Sequence, residues 1–194
     1  MSHAIYQTKA LILKTTNMRE SNKLIILYTQ KFGLIYTTIQ SVRELRSKMR
    51  FHTNRLSLVE VDVVRGRDIW RIVGIHEYIS IFDVTGTVWY SLMERMANLI
   101  LRLCSGEETH NELWEDIVGL YDYINSHKED SNNTKEFVEI IFVSRMLYHL
   151  GYSAGEMSFI HIQNPYTTEV FSQIKLSKKE LIVAINNGIQ TSQL

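Results

Sequence analysis

The chain has 194 residues, of which 45% are hydrophobic and 22% charged, and its formal net charge is zero. That is enough apolar material for packed cores in one domain or two small ones. A single cysteine, Cys104, excludes an internal disulfide and a cysteine-built zinc site, no apolar run reaches the roughly 18 residues a membrane helix needs, and the start of the chain lacks a secretion-signal layout, so the cytoplasm is the expected compartment.

The zero conceals an asymmetry. Residues 1–80 carry thirteen Lys and Arg against six acids, a net of +7, and residues 81–194 carry eight against fifteen, a net of −7. A field of one sign on one half steers polyanions such as nucleic acid.

In chain order, residues 5–14, 23–30, 34–41, 55–65 and 69–81 are rich in Ile, Val, Leu, Thr and Tyr and are separated by turn residues. They read as five strands. Lys31-Phe32-Gly33 is a tight connection between the second and third, and Gly66-Arg67-Asp68 between the fourth and fifth. Val59, Val61 and Val63 alternate with Glu60 and Asp62, as a half-buried strand requires. Five short strands in about 80 residues imply a small closed barrel; the OB-fold is the nucleic-acid-binding form of such a barrel, and an SH3-like barrel is its structural competitor.

After Phe82-Asp83 the period becomes helical. Val88, Leu92, Met96, Leu99 and Leu103 mark a first helix over residues 84–104, and Thr109 with Glu112 forms a capping box for a second, whose face is Leu113, Ile117, Leu120 and Ile124. Thr134 caps a third, apolar on most sides from 137 to 150 and ended by Gly151. Residues 159–163 and 170–174 flank Asn164-Pro165-Tyr166-Thr167 and read as a small hairpin at 159–174, and Ser177 with Glu180 opens a last helix. The fold class is therefore α+β: a five-stranded OB-fold barrel over residues 1–80, then an all-α helical domain over residues 81–194.

Binding a nucleic-acid strand without base preference needs cations along a groove and flat surfaces for stacking, each stacked base contributing roughly 1–3 kcal/mol. Arg43, Arg46, Lys48, Arg50 and Arg55 form a dense basic loop opposed only by Glu44, joined by Arg65 and Arg67 of the last turn and by Lys14 and Arg19 of the first connection. A solvated surface loop is the plainer reading of such a run. Tyr36, which alternates with Thr38 and Gln40 on the polar side of the third strand, is the first stacking candidate and Phe51 the second; packing against a strand neighbour is the alternative for Tyr36. Trp70 reads as core or as a contact with the helical domain.

Residues Ile5-Tyr6-Gln7-Thr8-Lys9-Ala10-Leu11-Ile12-Leu13-Lys14, then Glu20-Ser21-Asn22-Lys23-Leu24-Ile25-Ile26-Leu27-Tyr28-Thr29, then Phe32-Gly33-Leu34-Ile35 running into the basic loop, resemble the start of the bacterial recombination mediator family RecO. The likeness continues through residues 106–113 and through Leu147-Tyr148-His149-Leu150-Gly151-Tyr152, and residues 185–194 look like the tails of some short members. The resemblance implies a protein without enzymatic turnover and without a cofactor. It implies binding of single- and double-stranded DNA, annealing of complementary strands, and action with RecR and single-stranded-DNA-binding protein to load RecA. Many members carry four zinc-finger cysteines after the Leu-Gly-Tyr step; Ser153-Ala154-Gly155-Glu156-Met157 has none. In that reading Arg95, Arg102 or Arg145 meets the acidic tail of single-stranded-DNA-binding protein, against the plainer reading of helix-surface arginines.

Two other classes compete. An RNA-binding OB module of translation or ribosome assembly fits the charge split equally well, and matched DNA and RNA strands separate the two. A metal-dependent hydrolase would need ligands at metal spacing, but the seven histidines are scattered, and the acids from Glu107 to Asp116 coincide with a helix start, where acids are favoured anyway. No phosphate-cradling glycine loop or nucleophile elbow occurs.

Reversing Arg46, Lys48 and Arg50 to Glu is expected to abolish nucleic-acid binding while thermal melting stays almost unchanged. Unaltered affinity in a titration removes the basic loop from the account.

Overall fold

The structure, a computed structural model, describes residues 4–18, 20–42, 48–67, 69–79, 84, 86–128, 132–152 and 159–192, with backbone only at 48, 50, 132 and 133. It divides into two compact units, Met1–Phe82 with Ala97–Thr109, and Asp83–Met96 with His110–Leu194. The segment 97–109 thus groups with the barrel, whereas the sequence pattern sets the division at residue 80.

In the first unit, β1 (Ile5–Met18), β2 (Asn22–Thr29), β3 (Gly33–Ile39), β4 (Leu58–Arg65) and β5 (Trp70–Ile79) close into a barrel in the order β1-β2-β3-β5-β4. All neighbours are antiparallel except β3 and β5, which run parallel over Thr37↔Trp70, Thr38↔Arg71 and Ile39↔Ile72. Five strands with this closure make an OB-fold barrel. Alternation fills it: Ala10, Ile12, Ile25, Leu27, Ile35 and Ile39 point inward, as do Val59, Val61 and Val63. Each fully buried aliphatic side chain contributes about 1.5–3 kcal/mol, so the interior carries most of the barrel's stability.

The β2–β3 hairpin is fixed by chemistry at its tip. Thr29 Oγ1 donates to Gly33 O at 3.0 Å and accepts from Phe32 N at 3.0 Å, holding Gly33 at φ +61°. A Cβ at Gly33 would sit 2.1 Å from the carbonyl oxygen of Glu108, while Leu34 N donates to Gly106 O at 3.0 Å. Only glycine lets segment 104–109 lie this close to the hairpin.

In the second unit the helices are α1 (Val88–Leu103, which the unit division crosses), α2 (Asn111–Ser126), α3 (Asn132–His149) and α4 (Thr168–Thr191). α3 packs against both α2 and α4, and its buried residues Val138, Ile141, Phe142, Met146 and Leu147 explain its apolar sequence. It ends with Gly151 N donating to Tyr148 O and Tyr152 N to Leu147 O, the paired bonds of a Schellman turn around Gly151 at φ +78°.

Several sequence expectations for the helix boundaries are corrected. The second helix starts at Asn111 with His110 as its N-cap and no side-chain cap bond, so Thr109 and Glu112 form no capping box. The third begins at Asn132, before Thr134. No strand occurs in residues 159–174: Val170 and Ile174 lie one helical turn apart on α4, buried with Phe159 and Ile160, and Thr167 Oγ1 caps the helix by accepting from Val170 N. Two helical stretches meet at Ser177, so a last helical stretch does follow it as the sequence pattern expects, without a capping bond from its side chain. The φ −109°, ψ 15° of Ser177 kink α4, and its Oγ donates back to Gln173 O at 3.1 Å.

Gly33→Ala is expected to destabilise the protein by at least about 1–3 kcal/mol from backbone strain alone, before the clash with Glu108 is counted. Denaturant unfolding followed by circular dichroism measures it, and a change within about 0.5 kcal/mol would show that segment 104–109 does not rest on the hairpin.

Candidate nucleic-acid interface

Strict alternation would turn Lys14 inward with Ala10 and Ile12. A register shift between Ile12 and Lys14 instead sets Lys14 opposite Ile26, and Ile26 is opposite Tyr36. Lys14, Ile26 and Tyr36 therefore form one row on the barrel's outer side, with Lys14 exposed and Tyr36 51% exposed. A second row runs Thr16, Leu24, Thr38, Arg71 across β1, β2, β3 and β5. Neighbours in such rows lie about 4.5–5.5 Å apart, so an aromatic face, a hydroxyl and two cations share one patch.

Beside Thr38 and Arg71 the surface opens into a groove of about 380 Å³, lined also by Val64, Arg65, Gly66, Arg67 and Ile69. The β4–β5 turn shapes it. A Cβ at Gly66 would meet Ile69 O at 2.2 Å, so glycine lets the turn fold tightly; Arg65 is in register with Trp70 and Arg71 with Val64, and Arg65, Arg67 and Arg71 all line the groove.

Trp70, in register with Arg65, belongs to an aromatic cluster. Only 5% exposed, it packs on Phe32 with centroids 5.0 Å apart and edge-on to Tyr6 at 5.8 Å. The Arg65 guanidinium lies 5.3 Å from the Trp70 ring centroid. Glu107 joins both: its Oε1 accepts from Trp70 Nε1 at 3.0 Å and its Oε2 pairs with Arg65 Nη2 at 3.0 Å. Trp70 is thus core, and its polar edge binds an acid of segment 104–109 in the same unit.

The residues expected to bind nucleic acid are only partly brought together. Lys14, Tyr36, Arg65 and Arg67 share the outer patch and groove. Phe51 is 65% exposed in the 3-10 turn Lys48–His52. Arg55 does not line the groove: its Nε donates to Leu13 O at 2.7 Å and its Nη2 to Asn98 Oδ1 at 2.8 Å, which gives it a tethering role. Arg19, Arg43 and Arg46, and the side chains of Lys48 and Arg50, lie outside the described residues. The sequence pattern does not single out Arg71. Its position between the inward Trp70 and Ile72 marks it as outward, but only the parallel β3–β5 pairing puts it beside Thr38.

In the second unit, Arg145 is no surface arginine. It is 8% exposed, clasps Asp116 through Nε and Nη2 at 2.6–2.9 Å, and donates from Nη1 to the carbonyls of Phe159, Ile160 and Ile162 at 2.7–3.1 Å. A buried cation already surrounded by acceptors is not offered to a partner, which corrects that expectation. Arg95 pairs with Glu139, which raises its pKa above the ordinary arginine value through that hydrogen bond. Arg102 is exposed. Cys104 is buried, and burial first, then the nearby Glu108 charge, push its thiol up to about 12. Among the described residues, no helix is long and apolar enough to cross a membrane.

An OB-fold barrel with an aromatic and cationic outer face, followed by a helical unit, is the class that this structure defines. Residues 1–76 match the family model for the N-terminal region of recombination protein O. The chain is 26% identical over 152 residues to a DNA repair protein RecO of Clostridium novyi, an alignment covering 77% of this chain and 57% of that protein. It is 31% identical over 106 residues to one of Dehalococcoides mccartyi, covering 55% of this chain and 42% of that one. It is 24% identical over 187 residues to a DNA repair protein RecO of Chlorobium limicola, covering 95% of this chain and 69% of that protein. Residues 1–76 are thus similar to the N-terminal region of this family, and the aligned part of the chain spans 57% and 42% of the length of the first two of these relatives.

Because its thiol stays protonated well above neutral pH and is buried, Cys104 is expected to resist alkylation at pH 7–8 in the native protein and to react once it unfolds. Mass spectrometry after iodoacetamide treatment, with and without denaturant, checks this.

Proposed function

We propose that this chain is a non-enzymatic, DNA-binding mediator of recombinational repair that holds single- and double-stranded DNA on its barrel and promotes annealing of complementary strands. In that role it works with RecR and single-stranded-DNA-binding protein, and so indirectly with RecA. The observation that carries the reading is a groove lined by Arg65, Arg67 and Arg71, with Lys14 and Tyr36 on the neighbouring outer surface of the barrel, within the residues that match the RecO N-terminal family. The relatives' shared name, DNA repair protein RecO, supports the biological setting.

The physical case is simple. Cations one to two strands apart meet successive phosphates, since adjacent strands are about 4.8 Å apart and a single-stranded backbone is flexible enough to follow. A phenol ring such as Tyr36 supplies a stacking face that every base accepts. Guanidinium groups bind phosphate oxygens two at a time, which suits a groove lined by three arginines.

Replacing Arg67 and Arg71 together by Glu is expected to weaken binding of an oligo-dT by more than about tenfold at low salt and to flatten the salt slope by roughly 0.7 for each phosphate no longer neutralised. Fluorescence anisotropy across a salt series measures both. The wild-type protein is also expected to speed annealing of complementary strands in a stopped-flow assay. Binding that ignores salt, or that survives the double reversal, would count against the groove.

A further inference from the structure

Glu107 holds an arginine that belongs to the groove's lining. Its carboxylate oxygen lies 3.0 Å from Arg65 Nη2, a distance typical of a guanidinium–phosphate pair, while Arg65 also belongs to the lining of the groove. The acid is not there by accident of a loose side chain. Segment 104–109 is fastened to the barrel by Leu34 N donating to Gly106 O and by the backbone of Glu108 lying against Gly33, and the second Glu107 oxygen accepts from Trp70 Nε1 at 3.0 Å.

We infer that Glu107 is a built-in phosphate mimic: it holds the guanidinium of Arg65, one residue of the groove's lining, and a nucleic-acid strand engages Arg65 only by exchanging its own phosphate for that carboxylate. This rests on the groove being the nucleic-acid site. The exchange is an easy one, because the Arg65 and Glu107 side chains are 63% and 39% exposed and an exposed ion pair is weak and screened by salt. Arg65 need not move far, since the Trp70 ring at 5.3 Å supports the guanidinium from one side whichever anion it faces. The resident acid discriminates by valence. A single phosphate competes with it for one arginine, whereas a strand that also reaches Arg67 and Arg71 makes bonds the carboxylate cannot match.

The test is a cycle of four proteins: wild type, Glu107→Gln, Arg65→Ala and the double variant, each titrated with fluorescent oligo-dT by anisotropy over a salt series. Glutamine keeps an oxygen for Trp70 Nε1 and removes only the charge, so folding is expected to survive, and circular dichroism melts verify it. Glu107→Gln is expected to bind about two- to fivefold more tightly than wild type. Its salt slope is expected to steepen by about 0.7, the signature of one more neutralised phosphate on a single strand. In the Arg65→Ala background the same substitution is expected to change neither quantity. A Glu107→Gln protein indistinguishable from wild type overturns the exchange, and so does an equal gain with or without Arg65, which would mark a general charge effect. Failure of all four proteins to bind overturns the groove itself, and this inference with it; binding with a flat cycle overturns the exchange alone.

Discussion

Three residue pairs between β3 and β5 decide whether there is a site at all. Thr37↔Trp70, Thr38↔Arg71 and Ile39↔Ile72 are the parallel pairs of the sheet and the ones that close it. Parallel strands cannot be joined by a tight turn, so closure needs the long path from Ile39 through the 3-10 turn and β4 before β5 returns. Inside the barrel it drives Ile39, Ile72 and Trp70 into one core; outside, it sets Arg71 next to Thr38 and two residues along from Tyr36. The same backbone pairing that buries apolar side chains on one face assembles the cationic and aromatic patch on the other.

Several cations of the barrel are committed to partners within the fold. Of the cations in the first 80 residues, Lys9 donates to Tyr78 Oη, Lys23 to Thr53 Oγ1, Lys31 to Gln7 O and Arg55 to Leu13 O and Asn98, while Arg65 faces Glu107. Charge is also sorted around the circumference. Glu60 and Asp62 sit on the outer side of β4, with Lys9 and His76 in register with Glu60, whereas Lys14, Arg67 and Arg71 gather towards β1, β3 and the β4–β5 turn. With a screening length of about 8 Å at physiological salt, what a phosphate feels is this local arrangement and not the formal net charge of the half-chain.

The five strands are legible in the sequence because β-branched residues alternate cleanly, as in Val59, Val61 and Val63, and because glycine marks the turns at Gly33 and Gly66. The outward direction of Tyr36 follows from the same period. Lys14's orientation does not, since it depends on a register shift that the string Ile12-Leu13-Lys14 does not advertise. Nor does Glu107: an acid 37 residues from Trp70 and 42 from Arg65 reaches them only because Gly33 lets its segment approach the hairpin. Along the linear chain, Glu107 looks like part of an acid-rich helix start. At the other end, Val170 and Ile174 read wrongly as a strand although their four-residue spacing, with Leu181 seven further on, is helical; the polar Asn164-Pro165-Tyr166-Thr167 stretch suggests a hairpin turn where it is a helix entry capped by Thr167.

Arg145 shows how the helical unit settles a related problem. Residues 159–162 follow the Leu-Gly-Tyr step without a strand or helix of their own, and backbone carbonyls in such a segment must find donors. One guanidinium supplies donors to the carbonyls of Phe159, Ile160 and Ile162, and Asp116, also held by His149 Nε2 at 3.1 Å, balances its charge. Removing one partner of a buried pair costs about 3–5 kcal/mol because the other is left uncompensated, so Asp116 and Arg145 hold α2, α3 and this segment as a unit. An arginine that in sequence resembles a handle for an outside partner is therefore committed to the interior, and the chain's irregular segment is held by charge-assisted hydrogen bonds donated from a helix that the apolar core has already fixed.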